Sequence, residues 1–129
     1  MMTVDLAAER FVEEFYTSFT RDAMAGDEEA ADVVDRYCTP DIVQVADGIE
    51  LDREKLIAHL RPVRKNLVSW RFEVHEAHRT GDRLAARFTI HAEMRKGQKV
   101  ATEVYLFGEL APDGRLHRTT QLTRAGGHA

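Results

Sequence analysis

The chain has 129 residues, long enough for one domain with a core of its own and too short for two independent ones. Hydrophobic residues make up 43% and charged residues 31%, which excludes the disordered class, and the net charge of −4 with scattered basic residues argues against a nucleic-acid partner. A single cysteine, Cys38, excludes an intrachain disulfide and a cysteine-based zinc cluster.

In chain order, Ala8, Phe11, Phe15, Phe19 and Ala23 recur at three- and four-residue steps, flanked by Val12 and Tyr16. This spacing predicts an amphipathic helix over about 5–24. Gly26 stops it, Asp27 is expected to cap a second helix carrying Ala30, Val34, Tyr37 and Cys38, and Pro40 to end that one. Ile42, Val43 and Val45 form a short strand, and Asp47-Gly48 turns it back through Ile49–Leu51 as a hairpin. Asp52 caps a third helix with a stripe of Leu56, Ile57, Leu60, Val63 and Leu67. Pro62, which has no N–H for the Ala58 carbonyl, is expected to kink or stop it.

From Trp70 the period changes to two, through four segments separated by Thr80-Gly81-Asp82, Lys96-Gly97-Gln98 and Pro112-Asp113-Gly114. An antiparallel meander follows, with a frayed tail at Gly126–Ala129. Sharing apolar residues on one face gives an inner row set of Trp70, Ala92, Thr102 and Arg124; Phe72, Ile90, Val104 and Leu122; Val74, Phe88, Leu106 and Thr120; and Glu76, Ala86, Gly108 and Arg118. Arg71, His91, Glu103 and Thr123, then Glu73, Thr89, Tyr105 and Gln121, then His75, Arg87, Phe107 and Thr119 fall on the outer face. Glu76 and Arg118 would then face inward as an ion pair near an open end. The fold class is α+β, one domain over 1–129 with its core at about 5–124: three N-terminal helices packed on a curved antiparallel sheet that forms a cone.

Several local marks accompany this order of elements. They are Ala25-Gly26-Asp27, Pro40-Asp41, the run DREKLIAHL from Asp52 to Leu60, Gly81 to Phe88, and Asp113 to Leu116. In these marks, from about residue 8 to 123, the chain resembles the nuclear transport factor 2-like superfamily, and within it the SnoaL-like branch of polyketide cyclases, related to ketosteroid isomerases. The resemblance implies a cone whose wide end holds a small apolar ligand, and often a homodimer through the outer sheet face. It does not imply one reaction. Isomerase-type relatives carry a Tyr where this chain has Phe19, an Asp where it has Ala46 with Asp47 adjacent, and a second acid where it has Leu106. Cyclases of the branch use an acid on the last strand, and residues 115–124 contain none.

Asp47 is therefore the candidate base, against the plain reading of Asp-Gly as a hairpin turn. Tyr16, one turn before Phe19, is the candidate hydroxyl donor to a developing oxyanion, against a core tyrosine with a satisfied hydroxyl. Phe19, Trp70, Phe88, Ala92, Met94, Thr102, Leu106 and Thr120 are the candidate ligand-lining residues. His75 and His78, three apart in a strand, are expected on opposite faces, so no metal site is expected; His59 carries no signal of its own. The residues around MMTVDLAAERF hold no apolar signal core, and nowhere do 18 apolar residues run together, so a cytoplasmic protein with no membrane partner is expected. Two functions stay open: a small-molecule-binding domain, as a cofactor-free isomerase, cyclase or dehydratase for an apolar ring compound, and a non-catalytic dimeric module with a filled cone.

Overall fold

The computed structural model describes residues 5–125; the tail at Gly126–Ala129 lies outside them. Helix α1 spans Leu6–Ala25, with the Asp5 carboxylate accepting from the Ala8 amide and Gly26 closing the helix at φ 77°. Helix α2 begins at Ala30, without a side-chain cap, and ends at Tyr37. Asp27 is therefore not its cap, and the chain is already extended at Cys38, before Pro40 is reached.

Helix α3 (Arg53–Asn66) starts at Asp52, whose carboxylate accepts from the Lys55 amide at 3.0 Å. It does not stop at Pro62. Ala58 and Pro62 both face solvent, where water can take the orphaned carbonyl, while Leu60 and Val63 on the other side hold the helix against the protein.

The strands β1 (Cys38–Ala46), β2 (Ile49–Asp52), β3 (Leu67–Thr80), β4 (Arg83–Met94), β5 (Lys99–Leu110) and β6 (Leu116–Ala125) form one sheet in the order β2-β1-β6-β5-β4-β3. The meander β3 to β6 is antiparallel, but β1 joins β6 in parallel, so the sheet is mixed rather than wholly antiparallel. It is an open sheet with β2 and β3 at its edges. The helices cover one face, and the core lies between them in two neighbouring clusters, one around Val12, Phe88, Val104 and Leu106, the other around Val33, Val34, Ile42 and Leu116.

Two bulges correct the expected register. Val74 pairs with Phe88 but Glu76 pairs with Arg87, which inserts one residue at His75. Ala77 thus takes the inward place and is buried, while Glu76 turns outward to pair with Arg87 at 3.2 Å. The same bulge leaves both His75 and His78 on the outer face, where His75 bonds Thr89 at 2.7 Å and His78 lies 3.4 Å from Glu76.

On β6 the insertion is at His117, because Leu110 pairs with Leu116 and Glu109 with Arg118. Every later β6 side chain is thereby turned over. Thr119, Gln121 and Thr123 face inward, and Arg118, Thr120, Leu122 and Arg124 outward. Glu76 and Arg118 are no inward pair, and Arg118 lies 3.7 Å from Glu109 instead. Both changes keep a charge in water, where it costs least. Between β4 and β5 the pairing slips by two residues, Phe88 opposite Val104 and Ala86 opposite Leu106, which keeps both strands' faces as expected.

Candidate functional site

Between α1, α3 and the inner sheet face is a cavity of about 290 Å³. Its walls come from Tyr16, Phe19, Thr20 and Ala23 on α1, and from Leu56, His59, Leu60 and Val63 on α3. Leu67, Trp70 and Phe72 on β3, Phe88 and Ile90 on β4, Val104 on β5, Gln44 on β1 and Gln121 on β6 complete them. The stripe that makes α1 amphipathic supplies one wall. The inward residues of the meander supply the other.

Of the residues expected to line a ligand space, Tyr16, Phe19, Trp70 and Phe88 border this cavity. Phe19 is braced by Tyr37, stacked at 4.7 Å between ring centroids, and Phe88 packs against Tyr16 at 5.2 Å. Leu106 is on the inner face but packed into the core, 2% exposed. Ala92, Met94 and Thr102 are half-buried and lie outside the cavity wall, Met94 at the strand end opposite Leu67. Thr120 is exposed on the outer face because of the bulge at His117, and Gln121 borders the cavity instead.

Asp47 is exposed and not part of the cavity wall. It sits at the β1–β2 turn with φ 50°, next to Gly48 at φ 82°. Its carboxylate accepts from the Thr123 amide at 2.8 Å and the Thr123 hydroxyl at 2.6 Å. The hydroxyl bond, and after it the amide bond, hold its pKa below the usual carboxylate value.

Tyr16 keeps some accessible surface, yet burial pushes its phenol well above the ordinary tyrosine range, with Cys38 adding to the shift. A group can be both desolvated and accessible when its accessible surface opens into a largely apolar cleft. The Cys38 thiol is buried and, through burial first and Asp35 second, pushed up to about 12, so it is no nucleophile.

His59 and the two glutamines were missed by the sequence reading. His59 is exposed at the cavity rim, on the same helix face as Leu56, Leu60 and Val63, and that spacing was its one available signal. Gln44 lies inward between Val43 and Val45. Its place depends on the parallel pairing with β6, where it is opposite Thr119 while Ala46 is opposite Gln121. Side-chain hydrogen bonds on β1 and β6 tie Thr39 to Asp41 and His117, Asp47 to Thr123, and Arg124 to Glu103. Neither glutamine takes part. Between them in the sheet, the Thr119 hydroxyl is buried with no partner among the described residues.

Among the described residues no Asp, Glu, Lys or Arg borders the cavity. A second hollow, of about 430 Å³, lies on the outer face between His78, Arg83, Phe107 and Arg118. It is an open surface depression, and both arginines already lie 3.7 Å from Glu109. Among the described residues no group of three or more His, Cys, Asp or Glu is placed to hold a metal ion, and no helix is long and apolar enough to cross a membrane.

Comparison with solved structures shows the same fold at low identity. A protein of Shewanella denitrificans proposed to be a SnoaL-like polyketide cyclase superposes with a TM-score of 0.67 and 14% identity, covering 90% of each chain. A protein of Rhodopseudomonas palustris proposed to be an isomerase gives 0.72 at 10% identity, covering 89% of this chain and 90% of that one. An NTF2-like protein of unknown function from an Exiguobacterium species gives 0.66 at 16% identity, covering 88% and 98%. No curated protein sequence matches. The family model of the SnoaL-like domain matches residues 12–119, which takes in every residue of the cavity wall except Gln121, and the chain belongs to the SnoaL-like domain family.

Proposed function

We propose that this domain binds small, uncharged, largely apolar ring compounds in the cavity between α1, α3 and the sheet. One observation carries the reading: a space of about 290 Å³ is bordered by aromatic and aliphatic side chains, with a few neutral polar groups and no acid, lysine or arginine. The relatives proposed to be a polyketide cyclase and an isomerase agree with it. A module with a filled cone would leave no such space.

Acid–base turnover in this pocket would rest on His59 at the rim and Tyr16 in the wall, because among the described residues they are the titratable side chains that border it. Asp47 is outside the wall and already engaged by Thr123. A cytoplasmic setting belongs to the same reading; with one cysteine the chain has no intrachain disulfide that would need an oxidising compartment.

The test is thermal unfolding against a panel of one- and two-ring neutral compounds. A ligand at 100 times its dissociation constant should add roughly 2.7 kcal/mol of stability. Val63→Trp, which fills the cavity from α3, should abolish the shift. A panel that moves nothing, or a shift that survives Val63→Trp, would remove the proposal.

A homodimer through the outer sheet face is part of the same reading. Phe107 and Leu122 stand on adjoining strands of that face at 71% and 63% exposed, beside Tyr105 and Thr120. Charged Arg87, Arg118 and Arg124 surround them, an arrangement of apolar centre and polar rim. Sedimentation should give twice the mass of one chain, and Phe107→Glu should give single chains. Wild-type protein that sediments as single chains at every concentration would exclude the dimer.

A further inference from the structure

Resting on the pocket reading above, we infer that Gln44 and Gln121 form a neutral hydrogen-bonding edge that selects uncharged ring ligands carrying a hydroxyl or carbonyl, over bare hydrocarbons and over carboxylates.

The argument begins with the sheet. Gln44 pairs across β1–β6 with Thr119, and Gln121 is two residues further along β6, so the glutamines sit diagonally on one face of adjacent strands. Ordinary sheet spacing puts their Cα atoms about 8 Å apart, within reach of one edge of a two-ring molecule. Both border the cavity, and no described hydrogen bond ties either amide to a protein partner. Each amide offers two N–H donors and a carbonyl acceptor.

Both amides are part-exposed, so water satisfies them in the open pocket, and a ligand that displaces this water must replace its hydrogen bonds with groups that accept and donate. A hydrocarbon in the same space would displace water and leave both amides unpaired. A carboxylate at the glutamine edge would find amide donors but no Lys or Arg among the described lining residues, and the one basic side chain there, His59, is at the exposed rim on α3 rather than on the sheet, so the carboxylate's desolvation would be poorly compensated. A phenol or a ring ketone meets both requirements. The glutamines are thus specificity residues, with no covalent step assigned to them.

Three probes of one shape separate these terms: naphthalene, 2-naphthol and 2-naphthoate, each titrated against the wild-type chain by calorimetry or by competition. The expected order places 2-naphthol at least about tenfold tighter than either of the others, the effect of one well-made hydrogen bond to an otherwise unpaired group. Gln44→Leu and Gln121→Leu keep approximate volume and remove the amides. Each should narrow the naphthol preference while naphthalene binds as tightly as before or more tightly.

Retained naphthalene binding also reports that the variants are folded. If a leucine variant fails to fold, Gln44→Met and Gln121→Met serve in its place, and they separate the glutamines from Tyr16, Thr20 and His59 as the source of any naphthol preference. Equal affinity for naphthol and naphthalene, naphthoate binding as tightly as naphthol, or a preference unchanged in both variants would overturn the inference while leaving the pocket in place. Failure of all three probes to bind would instead remove the pocket reading, and this inference with it.

Discussion

The carboxylate of Asp47 accepts two hydrogen bonds from Thr123, one from the backbone amide at 2.8 Å and one from the hydroxyl at 2.6 Å, and so ties the β1–β2 turn to β6. The Asp47 amide in turn donates to the Gln121 carbonyl at 3.0 Å. Asp47 therefore secures the parallel β1–β6 pairing that brings Gln44 to the cavity.

A clear outcome follows for substitutions at this turn. Asn tolerates the left-handed conformation that Asp47 adopts and keeps an acceptor oxygen, so Asp47→Asn should shift the melting temperature by no more than about 2 °C. It should leave 2-naphthol affinity unchanged. Asp47→Ala loses both acceptors and places a Cβ-bearing residue without local hydrogen bonds at φ 50°, and should melt lower by about 3 °C or more. Scanning calorimetry checks both, and a hundredfold fall in turnover of any substrate by Asp47→Asn would reinstate it as the base.

The second prediction concerns acid and alkali. The Tyr37 hydroxyl donates to Asp22, and this bond, assisted by Arg36, holds the Asp22 carboxyl below its ordinary value of 3.8. A carboxylate with a depressed pKa in the folded state stabilises the fold above pH 3.8, and that contribution is lost as pH falls through the folded value. Tyr37 itself is raised from 10.0 to about 12, by burial first and Asp22 second. Its contribution is complete below pH 10 and is lost as pH rises through 12. Tyr37→Phe should cost about 1–2 kcal/mol at pH 7. The gap between variant and wild type in urea unfolding should close below pH 3.8 and above pH 12, and a gap independent of pH would show that the bond is not its source.

Leu106 separates core from cavity. It was expected to line the ligand space, but it is 2% exposed and packed with Val12, Phe88 and Val104. Leu106→Ala should therefore destabilise by about 2–5 kcal/mol, as buried leucines do. At a temperature where the variant remains folded, its affinity for 2-naphthol should fall less than that of Phe88→Ala, because Leu106 reaches the cavity only through Phe88 and Val104. A loss of affinity without a loss of stability would put Leu106 in the binding wall.

The fold was legible where a period was long or a cap was local. Twenty residues of α1 repeat one stripe, and Asp52 marks the start of α3 by its own side chain. The inward faces of β4 and β5 were legible too, since a slip of two residues leaves faces unchanged. The last strand was not. Its residues Thr119 to Thr123 read Thr-Thr-Gln-Leu-Thr with one apolar member, so hydrophobicity favoured Leu122 inward, and no residue type announces the extra one at His117. That bulge decides that Gln121 rather than Thr120 borders the cavity, and the parallel partnership of β1 decides the same for Gln44. Both are long-range choices. Tyr16, Phe19, Trp70 and Phe88 were legible because they lie on elements whose pattern is self-contained.

Thr119 carries the last prediction, because the same bulge buries its hydroxyl without a partner. The side chain is 1% exposed, its neighbour across β5 is Gly108, and its neighbour across β1 is Gln44. A buried hydroxyl left unpaired costs about 1–3 kcal/mol relative to one that is satisfied. Valine has nearly the same shape, retains the β-branched preference for a strand and carries no hydroxyl to desolvate. Thr119→Val should accordingly raise stability by about 1 kcal/mol in urea unfolding, with the slope unchanged. Polar substitutions in a core usually run the other way, so the sign is informative. If the valine variant is less stable by a similar amount, the hydroxyl has a partner in solution, and Gln44, directly opposite it in the sheet, is the first residue to examine by a Gln44→Leu, Thr119→Val double-mutant cycle.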